Sequence, residues 1–257
     1  MLMLQNQIVL ITGASSGIGR DAALLFAKHG AVPVLAARSI DKLQSLSEEI
    51  KDRYNIEAPF YALDVTDEEN VNRVVDDVLK RFTRIDILMN NSGYGFFKST
   101  EDITMEEVEG MMNVNYFGLV RMTKAVLPSM RQRGSGHIIN LASLASFMAG
   151  KKHGAYAATK HAVMGFSDAL RYEMRGTGVT LSTINPGPVE TPFFDKADRK
   201  SVPSIVGFLK PEEVAETALK AAVQKKPLYV LPKSGYIPVK LRHLLPRLYD
   251  WAMSSAK

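Results

Sequence analysis

A tyrosine and a lysine four residues apart, Tyr156 and Lys160, have the residue types and the spacing to transfer a proton. In a helix this spacing places both side chains on one face, so the phenol and the ammonium would be neighbours. A free tyrosine titrates at about pH 10, and a neighbouring cation favours the phenolate. We therefore expect Lys160 to lower the pKa of Tyr156. The same spacing is common by chance, so its meaning depends on the rest of the chain.

The composition excludes several other kinds of chemistry. The chain has 257 residues and no cysteine, which excludes disulfides, thiolate catalysis and cysteine-based metal sites. Its five histidines show no metal-ligand spacing, so we predict no metal. The formal net charge of +5 comes from 32 basic and 27 acidic residues without a long basic run, and no nucleic-acid partner is predicted. Redox chemistry would require a bound organic cofactor, with a small molecule as substrate.

Short apolar runs alternate with amphipathic helical patterns along the chain. The apolar runs predict strands at residues 8–11, 32–36, 60–63, 87–89, 137–141, 180–184 and 228–231. Helices are predicted from near Ile18 and at residues 41–54, 68–82, 105–127, 156–175 and 211–223. Asp41, Asp67 and Thr104 are the expected N-caps. This alternation predicts an α/β fold, a doubly wound parallel sheet of about seven strands with helices on both faces, in one domain over residues 1–257.

A glycine-rich turn follows the first predicted strand and opens the first predicted helix. Glycine lets a ligand approach the backbone closely, and the N–H groups at the start of a helix attract phosphate. The turn is therefore expected to bind the pyrophosphate of a dinucleotide. Its residues are Gly13, Ser15, Ser16, Gly17, Ile18 and Gly19.

These motifs resemble those of the short-chain dehydrogenase/reductase family. Thr12 followed by Gly-x-x-x-Gly-x-Gly matches the cofactor turn of the family, and Tyr156 with Lys160 matches its Tyr-x-x-x-Lys pair. The resemblance extends from about residue 7 to residue 231, with the motifs in family order. It implies a Rossmann-type fold and a nicotinamide cofactor.

The resemblance also implies roles for four catalytic residues. Ser143 would hydrogen-bond the substrate carbonyl, and Tyr156 would deliver the proton. Lys160 would lower the pKa of the phenol and hold the nicotinamide ribose. Asn115 would hold a water that connects Lys160 to solvent. Asn113 is the rival for this last role, but the pattern around position 115 fits the family better.

The end of the second predicted strand indicates which cofactor is preferred. Family members that prefer NAD have an acidic residue there, where this chain has Ala37. Arg38 and Ser39 follow, and a guanidinium beside a hydroxyl suits a 2′-phosphate, which predicts NADP(H). The alternative is that Arg38 is a solvated surface charge.

The resemblance implies further cofactor contacts after the later strands. Ser92 departs from the alanine of the family motif, and its extra hydroxyl should be tolerated if it finds a hydrogen-bond partner. The implied contacts are Asp64, Val65, Asn91, Ser92, Gly93, Tyr156, Lys160, Pro186, Gly187, Val189 and Thr191.

The irregular segment 186–209 is the expected substrate lid, because long loops in compact domains often close over a ligand. Its apolar residues, together with Phe147 and Met148 after Ser143, predict an apolar pocket. Ordinary core packing is the alternative for each of them. The apolar lid residues are Phe193, Phe194, Val202, Ile205, Val206, Phe208 and Leu209.

The C-terminal extension, residues 233–257, mixes apolar residues such as Trp251 with basic ones. Peripheral contact with a membrane surface is one interpretation. Packing against the domain or a second subunit is preferred, because Pro238 and Pro246 limit helix length.

Together these features predict an oxidoreductase that transfers a hydride between NADP(H) and a carbonyl or secondary alcohol, with an apolar ketone or aldehyde as substrate. The alternative is a non-catalytic NADP(H)-binding sensor or scaffold with the same fold. Family members often form dimers or tetramers, so the resemblance implies a homo-oligomer. The N-terminus shows no targeting signal and no stretch is long enough to span a membrane, which predicts a cytoplasmic protein.

Overall fold

The computed structural model describes residues 3–195, 197–199, 207–247 and 250. Its strands are β1 Ile8–Thr12, β2 Val32–Ala37, β3 Phe60–Ala62, β4 Ile87–Asn90, β5 Gly136–Leu141, β6 Val179–Pro186 and β7 Leu228–Leu231. These strands form a parallel sheet in the order β3-β2-β1-β4-β5-β6-β7. The predicted α/β architecture is therefore confirmed.

Helices connect the strands and cover both faces of the sheet. They are α1 Gly17–Lys28, α2 Ile40–Tyr54, α3 Glu68–Phe82, α4 Met105–Met112, α5 Leu119–Arg133, α6 Gly154–Glu173, α7 Pro211–Gln224 and α8 Tyr236–Leu244. Residues of α1, α2 and α7 share one apolar core with the sheet. Residues of α3, α5 and α6 share the other.

The strands have apolar residues on both faces, which explains why their sequences do not alternate with polar residues. In β1, Val9 and Ile11 belong to the same core cluster as Phe26 of α1. Leu10, between them, belongs to the cluster on the opposite face with Met122 of α5. Each central strand is thus buried between two helical layers.

The order of the strands reverses at β1. Its residue Ile11 pairs with Leu35 of β2 on one side and with Met89 of β4 on the other. In doubly wound sheets, ligands bind outside the carboxyl ends of the strands at such a reversal. The fold therefore locates a ligand site where β1 and β4 end.

Two local predictions are wrong. The continuous helix expected at residues 105–127 is interrupted by a π-helical turn, Asn113–Gly118, and α5 then continues to Arg133. Asp41 is not an N-cap, because α2 already begins at Ile40, after Ser39.

The other two predicted N-caps are confirmed. Asp67 accepts a hydrogen bond from the Asn70 backbone N–H, and Thr104 forms a reciprocal capping box with Glu107. Among the described residues, no helix has the length and apolar character needed to cross a membrane.

Candidate active site

A cleft of about 450 Å³ opens at the carboxyl ends of β1, β2, β3 and β4. It brings together most of the predicted cofactor residues, from five separate segments of the chain. Those that line it are Gly13, Ser15, Ser16, Gly17, Ile18, Arg38, Ser39, Asp64, Val65, Asn91, Ser92, Gly93 and Thr191. Thr66, Tyr94, Val114 and Leu141 also line it, although no motif in the sequence indicated them.

Six predicted cofactor residues do not line this cleft, namely Tyr156 and Lys160 on α6 and Gly19, Pro186, Gly187 and Val189. Gly19 lies beneath the glycine-rich turn, where a Cβ would collide with the backbone of Gly13. The backbone N–H of Gly187 donates to the Leu231 carbonyl over 2.7 Å. Pro186 and Val189 are buried beside it.

Hydrogen bonds between the ends of β1 and β4 fix the glycine-rich turn. The Thr12 hydroxyl accepts from the backbone N–H groups of Asn91 and Ser92, each over 3.0 Å. The Asn91 side-chain amide donates to the carbonyls of Thr12 and Gly13 over 3.0 and 3.1 Å. Gly13 and Gly17 have φ values of +65° and +52°, which favour glycine. The turn is thereby held open toward the cleft.

At the far end of the cleft, the chain has an alanine at the position where NAD-preferring family members have an acidic residue, and an arginine directly after it. Ala37 is buried at the end of β2, and Arg38 is exposed at the mouth of the cleft. Asp64 opposite is engaged by Thr66, whose backbone N–H and hydroxyl donate to its carboxylate over 2.9 and 2.8 Å. Burial raises the pKa of Asp64, but these hydrogen bonds and the charges of Arg38 and Arg121 together lower it below the ordinary value.

Tyr156 and Lys160 lie in the first turns of α6 and are both buried, with 9% and 6% of their surfaces exposed. The Tyr156 phenol is hydrogen-bonded to the Ser143 hydroxyl. The Lys160 Nζ donates to the Leu141 carbonyl over 3.0 Å and lies 5.8 Å from the centre of the Tyr156 ring. Three of the four predicted catalytic side chains, those of Ser143, Tyr156 and Lys160, are therefore adjacent.

Ser143 is held in place by the short turn that follows β5. Its Oγ accepts from the Ala145 backbone N–H over 3.1 Å and donates to the Pro186 carbonyl over 3.4 Å. The Ser146 hydroxyl accepts from the Ser143 backbone N–H over 3.3 Å. The buried Ser146, which sequence reasoning missed, thus helps to hold Ser143, the predicted catalytic serine, in place.

The expected lowering of the Tyr156 pKa is wrong. Burial raises the pKa of Tyr156 to about 12, although its hydrogen bond with Ser143 acts in the opposite direction. Burial also lowers the pKa of Lys160 to about 8. Both shifts arise because a charged group loses hydration in an apolar setting. At neutral pH the site therefore contains a protonated phenol beside a lysine whose pKa is about 8.

The π-helical turn places Asn115 in the buried centre of the site. Its amide exchanges two hydrogen bonds with the Tyr94 backbone, over 3.0 and 2.9 Å, and donates to the Thr159 hydroxyl over 3.1 Å. Thr159 in turn donates to the Tyr156 carbonyl. A π-turn adds one residue to a helix and often occurs at functional sites. Asn113 instead contacts Arg121 through its side chain, away from Tyr156.

Aromatic side chains surround the phenol of Tyr156. The rings of Phe97 and Phe193 each lie 5.5 Å from the Tyr156 ring, and the His153 ring lies 4.1 Å from that of Phe97. Phe193 and Phe194 come from the expected lid. Val202, Ile205 and Val206 of that lid lie outside the described residues, as does Trp251 of the C-terminal extension.

Comparisons with known proteins agree with this geometry. The family model for short chain dehydrogenases matches residues 7–201. A Drosophila melanogaster protein named dehydrogenase/reductase SDR family protein 7-like is 34% identical over 269 residues, which cover 98% of this chain and 80% of that protein.

Two solved structures extend the comparison to ligands. An alcohol dehydrogenase from the archaeon Thermococcus sibiricus, complexed with 5-hydroxy-NADP, is 32% identical, with 88% of this chain and 95% of that one covered and a TM-score of 0.79. A 3-ketoacyl-(acyl-carrier-protein) reductase from Brucella melitensis, complexed with NADH, is 30% identical, with 89% and 97% covered and a TM-score of 0.80. The similar structures therefore hold different nicotinamide cofactors.

Proposed function

This chain belongs to the short-chain dehydrogenase/reductase family, and from that premise we propose that it reduces an apolar ketone or aldehyde, or oxidises the corresponding alcohol, with NADP(H). The observation that carries the proposal is the hydrogen-bonded pair of Ser143 and Tyr156, with Lys160 and Asn115 behind it, beside a glycine-lined cleft. Two hydroxyls that converge in this way suit the recognition and protonation of one carbonyl oxygen.

The residues of the cleft fit a dinucleotide. Gly13 and Gly17 adopt positive φ values that favour glycine and line the cleft, and the start of α1 faces the same space. Asn91, Ser92 and Gly93 would line the path toward Tyr156, and Thr191 would close it. When bound, a nicotinamide cofactor supplies a hydride at its C4 position.

Each catalytic side chain has a separate task in this proposal. The Ser143 hydroxyl donates a hydrogen bond to the carbonyl oxygen and polarises it, while Tyr156 gives its phenolic proton to the same oxygen. The raised pKa of Tyr156 keeps this proton in place at neutral pH, as an acid for reduction requires. Lys160 holds ribose hydroxyls and stabilises the phenolate after transfer. Asn115 fixes the Tyr94 backbone and, through Thr159, the start of α6.

The preference for NADP(H) is supported by Arg38 and by the absence of a carboxylate at Ala37. Hydrogen bonds between a guanidinium and a phosphate are worth about 1.5–3 kcal/mol. Arg38→Gln should therefore raise the KM for NADPH by about 10- to 100-fold and leave the KM for NADH almost unchanged. Arg53→Gln, on α2 and remote from the cleft, is the matched control. A wild-type preference for NADH, or an equal effect on both cofactors, would overturn this assignment.

The apolar character of the substrate is supported by the aromatic wall around Tyr156. Phe97, Phe193 and Phe194 are half-buried or buried and pack with Tyr156 in one apolar cluster. We assign the described part of segment 186–209 as a lid over this pocket. NADPH consumption with paired short and long, aliphatic and aromatic carbonyl compounds tests the proposal. Higher kcat/KM for the larger apolar members supports it, and a preference for charged ones contradicts it.

A further inference from the structure

The C-terminal helix α8 has an apolar face that the described residues of the domain leave uncovered. Ile237 and Leu244 are 68% and 75% exposed, and Leu245, directly after the helix, is 54% exposed. Leu241 lies between them at helical spacing and is half-buried. The predicted packing of this segment against the domain therefore does not extend to these side chains. Contiguous exposed apolar residues of this kind mark an interaction surface.

The same segment accounts for four of the five net positive charges of the chain. Residues 232–247 include Lys233, Lys240, Arg242 and Arg247 and no acidic residue, whereas the rest of the chain has 28 basic and 27 acidic residues. Lys233, Lys240 and Arg247 are exposed. An apolar stripe flanked by cations is complementary to an anionic surface with an apolar interior.

The segment lies at the catalytic end of the sheet. In the turn before α8, Gly235 packs so closely on Leu144 that a Cβ there would lie 2.9 Å from the Leu144 Cδ2. Leu144 is adjacent to Ser143. The loop that follows Ser143 adds two exposed cations, Lys151 and Lys152, at the same end of the sheet. The basic and apolar surface is thus close to the site where substrate would enter.

We propose that α8 and its flanking basic residues bind the surface of a bilayer that contains anionic phospholipids. The nine residues of α8 extend over ~13 Å, which suits a helix lying along the surface and is far too short to span a bilayer. Ile237, Leu244 and Leu245 would enter the boundary between headgroups and acyl chains, and the lysines would contact lipid phosphates. The contact is independent of the cofactor and of the reaction proposed above.

Co-sedimentation with vesicles tests this inference on the full chain. The protein should bind vesicles of phosphatidylcholine mixed with phosphatidylserine, less strongly as salt is added, and should bind pure phosphatidylcholine weakly. Ile237→Asp should lower binding more than about tenfold. Met105→Asp is the matched control, because Met105 on α4 is also 68% exposed.

A second pair of variants tests the charge contribution separately. Lys240→Gln should lower binding to the anionic vesicles about fivefold, the effect of about one basic residue near such a surface. Lys51→Gln, on α2 beside the opposite edge of the sheet, should have no effect. This pair keeps the test valid if Ile237→Asp unfolds, which thermal unfolding would show.

Three results would overturn the inference. The first is no binding to vesicles with phosphatidylserine, and the second is an equal loss for each variant and its control. The third is a wild-type oligomer that Ile237→Asp converts to a smaller species in light scattering. That result would mean that a second copy of the chain covers this face.

Discussion

Replacement of Lys160 by methionine should stabilise the folded protein at neutral pH while it abolishes turnover. Burial lowers the pKa of Lys160 from 10.5 to about 8. A change of that size corresponds to roughly 3 kcal/mol of folding free energy lost at pH 7, where the ammonium is charged in both states. Methionine has a similar length and no charge.

The loss of one hydrogen bond offsets part of this gain in folding stability. The Leu141 carbonyl, which accepts from Lys160 over 3.0 Å, loses this partner in the variant, and the loss costs about 1 kcal/mol. The expected net effect at pH 7 is therefore an increase of about 2 kcal/mol in the free energy of unfolding.

The difference should vanish as the pH rises. Between pH 8 and pH 10.5 the unfolded chain retains the lysine proton that the folded chain has released, so wild-type stability rises through this window. At about pH 10 the remaining cost of burying the ammonium is about 1 kcal/mol, which is similar to the lost hydrogen bond. Wild type and variant should then be almost equally stable.

Urea unfolding of both proteins at neutral pH and near pH 10 measures the effect. Lys51→Met is the control, because this side chain is exposed on α2 and stays in water before and after unfolding. The reasoning is refuted if Lys160→Met is less stable than wild type at pH 7. It is also refuted if the difference between the two is the same at both pH values.

Two further predictions concern the same site. The kcat/KM for carbonyl reduction should fall as the pH rises through about 8, because Lys160 loses its charge there while Tyr156, with a pKa of about 12, stays protonated. A profile that stays flat to pH 10 would contradict this account. Asn115→Ala should lower the free energy of unfolding by about 2–4 kcal/mol, since it removes the three hydrogen bonds of a buried amide, whereas Asn113→Ala removes one and should cost about 1 kcal/mol or less. Chemical denaturation compares the two, and equal losses would refute the distinction.

The sequence predicts the fold well because each strand and helix is indicated by the hydrophobic pattern of its own residues. Each strand is a short apolar run buried between two helical layers. Each helix that covers the sheet has an amphipathic pattern, and its apolar side packs against the sheet. The π-turn has no such signature, because one inserted residue barely changes the hydrophobic pattern around Asn115. Asp41 was misassigned as a cap because a helix can begin one residue earlier without changing that pattern.

The residues of the candidate site could be selected from the sequence, but their electrostatics could not. The pKa of Tyr156 depends on burial, and the rings around it come from Phe97 and Phe193, which are remote from it in the chain. Lys160 donates to a backbone carbonyl, that of Leu141, which has no sequence signal at all. Neighbours brought together only by folding therefore reversed the expected shift of the Tyr156 pKa.

The central claim is that Tyr156 gives a proton to a carbonyl oxygen beside bound NADPH, and Tyr156→Phe tests it most directly. The variant removes one hydroxyl from a buried ring and should preserve the aromatic packing with Phe97 and Phe193. Steady-state NADPH oxidation should fall by about 10²- to 10⁴-fold, and NADPH should bind with nearly the wild-type Kd. Wild-type turnover by Tyr156→Phe would contradict the claim.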